Sequence, residues 1–100
     1  MMEIYTEKNG DDLIIKLSGE LNTLTAPDLN KVLDKELTGV TNLTMDFEEC
    51  GYVSSAGIRV LLSTYKQLKA TNGHMKLIHV DEDFMEVLEN TCLDGVFDIE

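Results

Sequence analysis

The hydrophobic residues of the chain alternate with polar ones in some stretches and recur every three to four positions in others. Residues 3–7 and 13–18 flank Asn9, Gly10, Asp11 and Asp12, whose residue types favour a tight turn, so we predict a β-hairpin. The second strand is almost wholly apolar, which is typical of a central strand. We therefore expect the first strand to lie at the edge of the sheet.

A helix is predicted next, over residues 26–38. Thr25 suits the N-cap position, and Pro27 falls in the first turn, where its missing N–H costs nothing. Gly39 suits the left-handed residue that commonly follows a helix. Apolar residues recur through the segment at helical spacing: Ala26, Leu29, Val32, Leu33 and Leu37.

The alternating stretch 43–47 continues through Tyr52 and Val53, so we predict a third strand that leads into the clearest helix of the sequence. That helix ends at Asn72-Gly73. One of its faces is apolar and carries Ile58, Leu61, Leu62, Tyr65 and Leu68.

Residues 75–80 predict a fourth strand, and Asp81 or Asp83 can cap a last helix. Residues 96–99 predict a short extended tail. The order strand, strand, helix, strand, helix, strand, helix favours parallel strands joined by right-handed crossovers, with one antiparallel hairpin strand. The last helix should place Phe84, Val87, Leu88 and Thr91 on one face.

Composition narrows the classes of protein. A chain of 100 residues with 43% hydrophobic and 27% charged residues is typical of one globular domain. The net charge of −11 argues against general nucleic-acid binding and against binding to anionic membranes. No N-terminal export segment and no membrane-spanning apolar run is evident, so we expect a cytoplasmic protein. Cys50 and Cys92 are expected to be buried, reduced thiols.

The acidic chain has one basic region. Residues 50–80 contain no Asp or Glu but hold four of the eight basic residues: Arg59, Lys66, Lys69 and Lys76. One interpretation of this basic region is that its cations match the helix dipole, because cations near a helix C-terminus are favourable. The other is that Arg59, four residues after Ser55, approaches a phosphate on that serine or an acidic partner.

Enzyme chemistry finds little support. A strand, a sharp turn, Ser55 and a helix suggest the nucleophile elbow of hydrolases, but Val53 stands where that motif needs glycine. The two histidines, His74 and His79, have no evident orienting carboxylate in the sequence. Neither common nucleotide-binding loop is present, and no metal-ligand cluster is evident. We therefore predict a protein that is not an enzyme, without a cofactor or metal.

Two motifs resemble those of the STAS domain, the module of bacterial anti-sigma factor antagonists and of sulfate-transporter tails. The first is Gly19-Glu20-Leu21-Asn22 followed by Thr25-Ala26-Pro27, and the second spans residues 52–62. The resemblance covers essentially the whole chain, so residues 1–100 are interpreted as a single STAS domain. It implies an α/β fold with a four- to five-stranded mixed sheet and about three helices packed mainly on one face.

The resemblance also implies a function. Members of the family bind an anti-sigma factor serine kinase, which phosphorylates a serine at the position of Ser55 and is thereby released; a serine phosphatase is a further partner that it admits. Ser54 and Asn22 stand where the family has acids and would border the acceptor, Gly57 would let a partner approach closely, and Arg59 would lie on the contact surface. The alternative is a scaffold or transporter-associated subunit that binds its partner without a phosphorylation switch.

Overall fold

The computed structural model describes residues 2–100 and contains one five-stranded mixed sheet, in the order β1-β2-β3-β4-β5, with three helices. Strand β1 pairs antiparallel with β2, and the remaining neighbours are parallel. The predicted hairpin, edge strand and order of elements are confirmed. The elements are β1 (Glu3–Asn9), β2 (Asp12–Leu21), α1 (Ala26–Glu36), β3 (Asn42–Val53), α2 (Ser55–Ala70), β4 (His74–Ile78), α3 (Glu82–Asn90) and β5 (Asp98–Ile99).

The core lies on one face of the sheet. Along β2, Leu13, Ile15 and Leu17 are fully buried, whereas Ile14 between them is 42% exposed. Because successive side chains of a strand point to opposite faces, this alternation places the apolar layer on one side and solvent on the other. The helices therefore pack on one face, as predicted, and leave the second face open.

Strand β3 contains two irregularities that the alternating pattern did not predict. Opposite β2, it has one additional residue between Asp46 and Glu49 and another between Cys50 and Tyr52. Each additional residue shifts the alternation by one position, as expected for a β-bulge. The buried residues of β3 accordingly lie two apart at first and then three apart: Leu43, Met45, Phe47, Cys50 and Val53.

The start of α1 differs from the prediction. Thr25 occupies the N-cap position, but its side chain makes no capping hydrogen bond. Instead, the Thr25 hydroxyl donates to the Glu20 carbonyl oxygen at 2.8 Å and accepts from the Asn22 backbone N–H at 2.8 Å. Thr25 therefore ties the turn to the end of β2. The backbone N–H groups of Leu24 and Thr25 in this turn donate to the side chain of Asn22.

The end of α2 follows the Schellman pattern. Asn72 adopts the left-handed conformation, with φ of 60°, and its N–H donates to the Lys69 carbonyl oxygen. The Gly73 N–H donates to the Leu68 carbonyl oxygen, so two carbonyl groups that the helix leaves free are satisfied. At the end of α1, Gly39 has φ of 80°, as predicted for that position.

Three expectations about burial are only partly met. Cys50 is buried as predicted, but Cys92 is exposed, because it lies in the left-handed turn that follows α3. Phe84 and Leu88 of α3 are buried, whereas Val87 is 37% exposed and Thr91 lies beyond the helix end. The apolar face of α3 is thus narrower than the spacing suggested.

Asp81, and not Asp83, caps α3: its Oδ1 accepts from the Phe84 N–H at 2.7 Å. We predict that Asp81→Ala lowers the free energy of unfolding by about 1 kcal/mol, as is typical of a lost N-cap. Asp83→Ala should cost clearly less, because Asp83 only faces the positive end of the helix. Urea unfolding of the two variants and Asp81→Asn measures this. Equal losses in both alanine variants, or a large loss in Asp81→Asn, would contradict the assignment.

Candidate functional site

The two motifs meet at the carboxyl ends of neighbouring parallel strands. Leu21 at the end of β2 pairs with Val53 at the end of β3, and the Ser54 N–H donates to the Leu21 carbonyl oxygen at 2.8 Å. The chain therefore leaves β2 through Asn22 beside the point where it leaves β3 through Ser54. We call the residues of these two exits, 20–25 and 52–59, the corner.

Asn22 holds the first exit in shape. Its Oδ1 accepts from the backbone N–H groups of Leu24, at 2.9 Å, and Thr25, at 3.1 Å. The side chain thus stabilises the turn that precedes α1, and it is half-buried. Capping needs an acceptor oxygen, which asparagine and aspartate both supply.

The two serines have different positions. Ser54 is the N-cap of α2, with extended backbone, and its Oγ accepts from the Gly57 N–H at 3.4 Å. Ser55 is the first residue of the helix, and its side chain is exposed. One serine is therefore engaged in the local structure, and the other presents its hydroxyl to solvent.

Gly57 is a packing residue. It is buried, and a Cβ atom placed on it would lie 2.6 Å from Cγ of Leu21 and 3.3 Å from Cγ1 of Val53. The close approach that we expected a partner to make is therefore made by Leu21 of the same chain. The absence of a side chain lets α2 begin directly against the ends of β2 and β3.

Arg59 lies one turn after Ser55 on α2 and is exposed. It forms none of the ion pairs found within residues 2–100. Its side chain borders an open groove between α1 and α2, whose other lining residues are Thr23, Ala26, Pro27, Asn30, Ala56, Val60 and Ser63. The corner thus continues into a groove whose rim carries the positively charged side chain of Arg59.

The corner carries two exposed apolar side chains. Leu24, in the turn after β2, is 85% exposed, and Tyr52, near the end of β3, is 55% exposed. Sequence reasoning did not select either residue as part of the site. Leu24 lies outside any periodic segment, and Tyr52 follows a bulge, so alternation along the chain does not report their orientation.

The first turn of α2 contains no acidic residue. The N-terminus of a helix carries a partial positive charge from its unsatisfied N–H groups, which favours anions. Ser55 is located at this end of a 16-residue helix, one turn from Arg59. A phosphate on the Ser55 hydroxyl would therefore be electrostatically tolerated.

A second polar cluster lies where β4 ends beside β3. The His79 Nδ1 and the Asp46 Oδ1 are 2.8 Å apart, so His79 does have a carboxylate partner, contrary to our expectation. The hydrogen bond to Asp46 raises the pKa of His79 more than its desolvation lowers it. Partial burial raises the pKa of Asp46, but hydrogen bonds from His79 and the Glu48 N–H outweigh it and lower the pKa overall.

Neither cysteine adds chemistry to the corner. Burial raises the pKa of the Cys50 thiol, whose sulfur donates to the Tyr52 carbonyl oxygen at 3.4 Å. A raised pKa keeps the thiol protonated and unreactive. Among the helices of residues 2–100, none is both long and apolar enough to cross a bilayer.

Comparison with known proteins places this geometry in context. The family model for the STAS domain matches residues 3–100. The anti-sigma-B factor antagonist of Bacillus subtilis is 24% identical over 98 residues, which span 98% of this chain and 90% of that protein.

Two solved structures have a similar fold. The unphosphorylated form of the anti-sigma factor antagonist SpoIIAA superimposes with a TM-score of 0.76 at 20% identity, over 94% of this chain and 97% of that one. The phosphorylated form of the Bacillus cell fate determinant SpoIIAA gives a TM-score of 0.79 at 19% identity, over 98% and 91%. The five-stranded mixed sheet with three helices is thus the SpoIIAA fold.

We predict that Gly57→Ala destabilises the protein. Forcing a methyl group against the fully buried Leu21 costs about 1–3 kcal/mol, whereas the better helix propensity of alanine returns about 1 kcal/mol at most. Urea unfolding should therefore show a net loss of about 1 kcal/mol. Gly51→Ala is the matched control, because nothing lies within 4 Å of its added Cβ. Equal stability of the two variants would contradict the packing role.

The Asp46–His79 pair predicts a pH dependence. The raised pKa of His79 means that its contribution to stability is complete below the ordinary value of 6.5 and is lost as the pH rises through the folded-state pKa. The lowered pKa of Asp46 means that its contribution is complete above 3.8 and is lost as the pH falls further. The stability difference between wild type and His79→Gln, measured by urea unfolding in metal-free buffer, should be largest between these values. A difference that does not change with pH would refute the pairing.

Proposed function

Because this chain belongs to the STAS domain family, we propose that it is an anti-sigma factor antagonist whose binding is switched by phosphorylation of Ser55. Unphosphorylated, it captures an anti-sigma factor that is also its serine kinase, and it thereby frees a sigma factor for transcription. Phosphorylation releases the kinase, and a serine phosphatase restores the binding form. The protein acts in the cytoplasm as a binding protein, not an enzyme, without touching nucleic acid or inserting into a membrane.

The position of Ser55 is the observation that carries this proposal. Its hydroxyl is exposed at the N-terminus of α2, whereas the neighbouring Ser54 is engaged as the cap. A kinase needs an accessible hydroxyl that makes no hydrogen bond on which the local structure depends. Ser55 meets that requirement, whereas Ser54 is half-buried and its Oγ already accepts from the Gly57 N–H.

A phosphate at Ser55 would change the surface more than the fold. It adds about −1.5 to −2 units of charge, which the helix N-terminus and Arg59 can both stabilise in water. A partner that covers the corner would have to strip water from this charge, and burying an uncompensated charge is costly. The phosphate thus opposes binding while leaving the protein folded.

The surface of the corner suits a protein partner. Leu24 and Tyr52 offer apolar contact area, and Arg59 offers a charge-assisted hydrogen bond. Aromatic and arginine side chains are enriched in protein–protein interfaces, so Tyr52 and Arg59 suit such a contact. The anti-sigma factor would then bury the corner, so its affinity would depend directly on the charge at Ser55.

Ser54 and Asn22 supply caps where the family has acids. Both side chains accept backbone hydrogen bonds, so the geometry of the corner is retained while two negative charges are absent. The absent charges favour a second candidate, a scaffold or transporter-associated subunit that binds its partner without a switch. The two candidates differ in how binding responds to charge at Ser55.

The acceptor is tested by incubating the protein with its cognate kinase and ATP and mapping phosphate by mass spectrometry. We expect one phosphate, on Ser55, and none in Ser55→Ala. Ser54→Ala separates the two adjacent serines and should still be phosphorylated. Phosphate at another residue of the wild type, with Ser55 unmodified, would refute the site.

The switch is tested by calorimetric titration of the anti-sigma factor with wild type, Ser55→Ala and Ser55→Asp. We expect Ser55→Asp alone to lose affinity, because the partner would have to bury the added charge. The expected loss is about tenfold or more, which corresponds to about 1.4 kcal/mol of binding free energy. Thr38→Asp is the charge-matched control, because it places the same charge on an exposed loop between α1 and the start of β3, at the end of the parallel strands opposite the corner. Equal affinity of all four proteins would favour the scaffold.

A further inference from the structure

The cluster at the end of β4 combines ligands of the kinds that transition metals bind. His79 lies directly after β4, and Asp46 and Glu48 lie in β3 on either side of Phe47. One imidazole nitrogen and two carboxylate oxygens are within 4.8 Å of one another. Two segments that are 33 residues apart in sequence thus bring three donors to one place.

We propose that Asp46, Glu48 and His79 bind a divalent transition-metal ion, for which Zn²⁺ is the test probe. Tetrahedral zinc with bonds of about 2.0–2.2 Å holds its ligand atoms about 3.4 Å apart. The three donors can reach that spacing by side-chain rotation, because His79 and Glu48 are exposed. Water would occupy the fourth position.

Asp46 is the anchor of the site. Its side chain is 15% exposed, and its Oδ1 accepts from the Glu48 N–H at 2.9 Å across the first bulge of β3. The same bond fixes the orientation of the Asp46 carboxylate. The bulge thereby supplies one fixed ligand, and the two exposed side chains close around the ion.

The charges around the cluster favour a dication. Lys16 lies 3.3 Å from Glu49 and 3.9 Å from Glu48, so its closer partner is the acid outside the cluster. With His79 neutral, Asp46, Glu48, Glu49 and Lys16 together carry a net charge of −2 in formal units, from three acids and one base.

A mixed imidazole and carboxylate set discriminates between ions. Imidazole suits Zn²⁺, Ni²⁺ and Cu²⁺, whereas Mg²⁺ and Ca²⁺ prefer oxygen ligands only. We therefore expect Zn²⁺ to bind and Mg²⁺ not to compete with it. A bound ion would fasten the end of β4 to the bulge of β3, on the sheet beside the start of α3.

The test is isothermal titration of the tag-free protein with Zn²⁺ in the presence of excess Mg²⁺. The expected result is one ion per chain, with affinity at least about tenfold weaker in His79→Gln and in Glu48→Gln, which is the loss seen even for residues that only support metal ligands. Both residues are exposed, so both variants should fold, although His79→Gln also loses the stabilising hydrogen bond to Asp46. Zn²⁺ should also raise the melting temperature of the wild type and not that of His79→Gln.

Two controls exclude other donors. Cys92 is an exposed thiol and His74 is the other histidine, so Cys92→Ser and His74→Gln should bind Zn²⁺ as the wild type does. Binding that survives in His79→Gln, or that disappears in Cys92→Ser, would overturn the proposal. Absence of saturable binding to the wild type would overturn it as well.

Discussion

The packing of Gly57 against Leu21 is the contact on which the corner depends. Leu21 is fully buried at the end of β2, and any side chain on Gly57 would collide with it. This contact lets α2 start immediately after β3, so that Ser54 can cap the helix and bond to Leu21 through its backbone. Ser55 then becomes the first residue of the helix, on the solvent-facing side of its first turn.

The bulges of β3 serve the same geometry. Without the first bulge, strict alternation would turn Cys50 to the opposite face of the sheet, and the second bulge brings Val53 back to the core face. With them, β3 bends along β2 and keeps five side chains in the core. The first bulge also turns the Glu48 N–H toward Asp46, which prepares the polar cluster at the end of β4. One local irregularity therefore supports both the corner and the metal site that we propose.

Much of the fold could be predicted from the sequence, because the periods of its apolar residues differ clearly between strands and helices. The bulges could not, since each one changes the period for a single step. The role of Asn22 in the turn before α1 was missed because Thr25 is a good helix cap by residue type, and only the folded structure shows that its hydroxyl bonds to Glu20 instead. The Asp46–His79 pair could not be predicted either, because its prediction requires knowing that β3 and β4 are neighbours in the sheet.

The positions of the candidate site residues could also be predicted in outline. Asn22, Ser54, Ser55 and Arg59 do lie around one corner, because both motifs end parallel strands that are adjacent in the sheet. Gly57 was assigned to a partner, since sequence alone does not distinguish a glycine that admits a partner from one that admits its own chain. Leu24 and Tyr52 could be recognised only from their exposure in the folded protein.

The central claim is that phosphate at Ser55 alters the charge of a rigid corner and leaves the fold unchanged. Comparison of amide chemical shifts in the phosphorylated and unphosphorylated protein, by two-dimensional NMR, tests it most directly. The account predicts changes confined to residues 20–25 and 52–60. Shifts that spread through β4, α3 and β5 would contradict it, because they would mean that the switch acts by rearranging the fold.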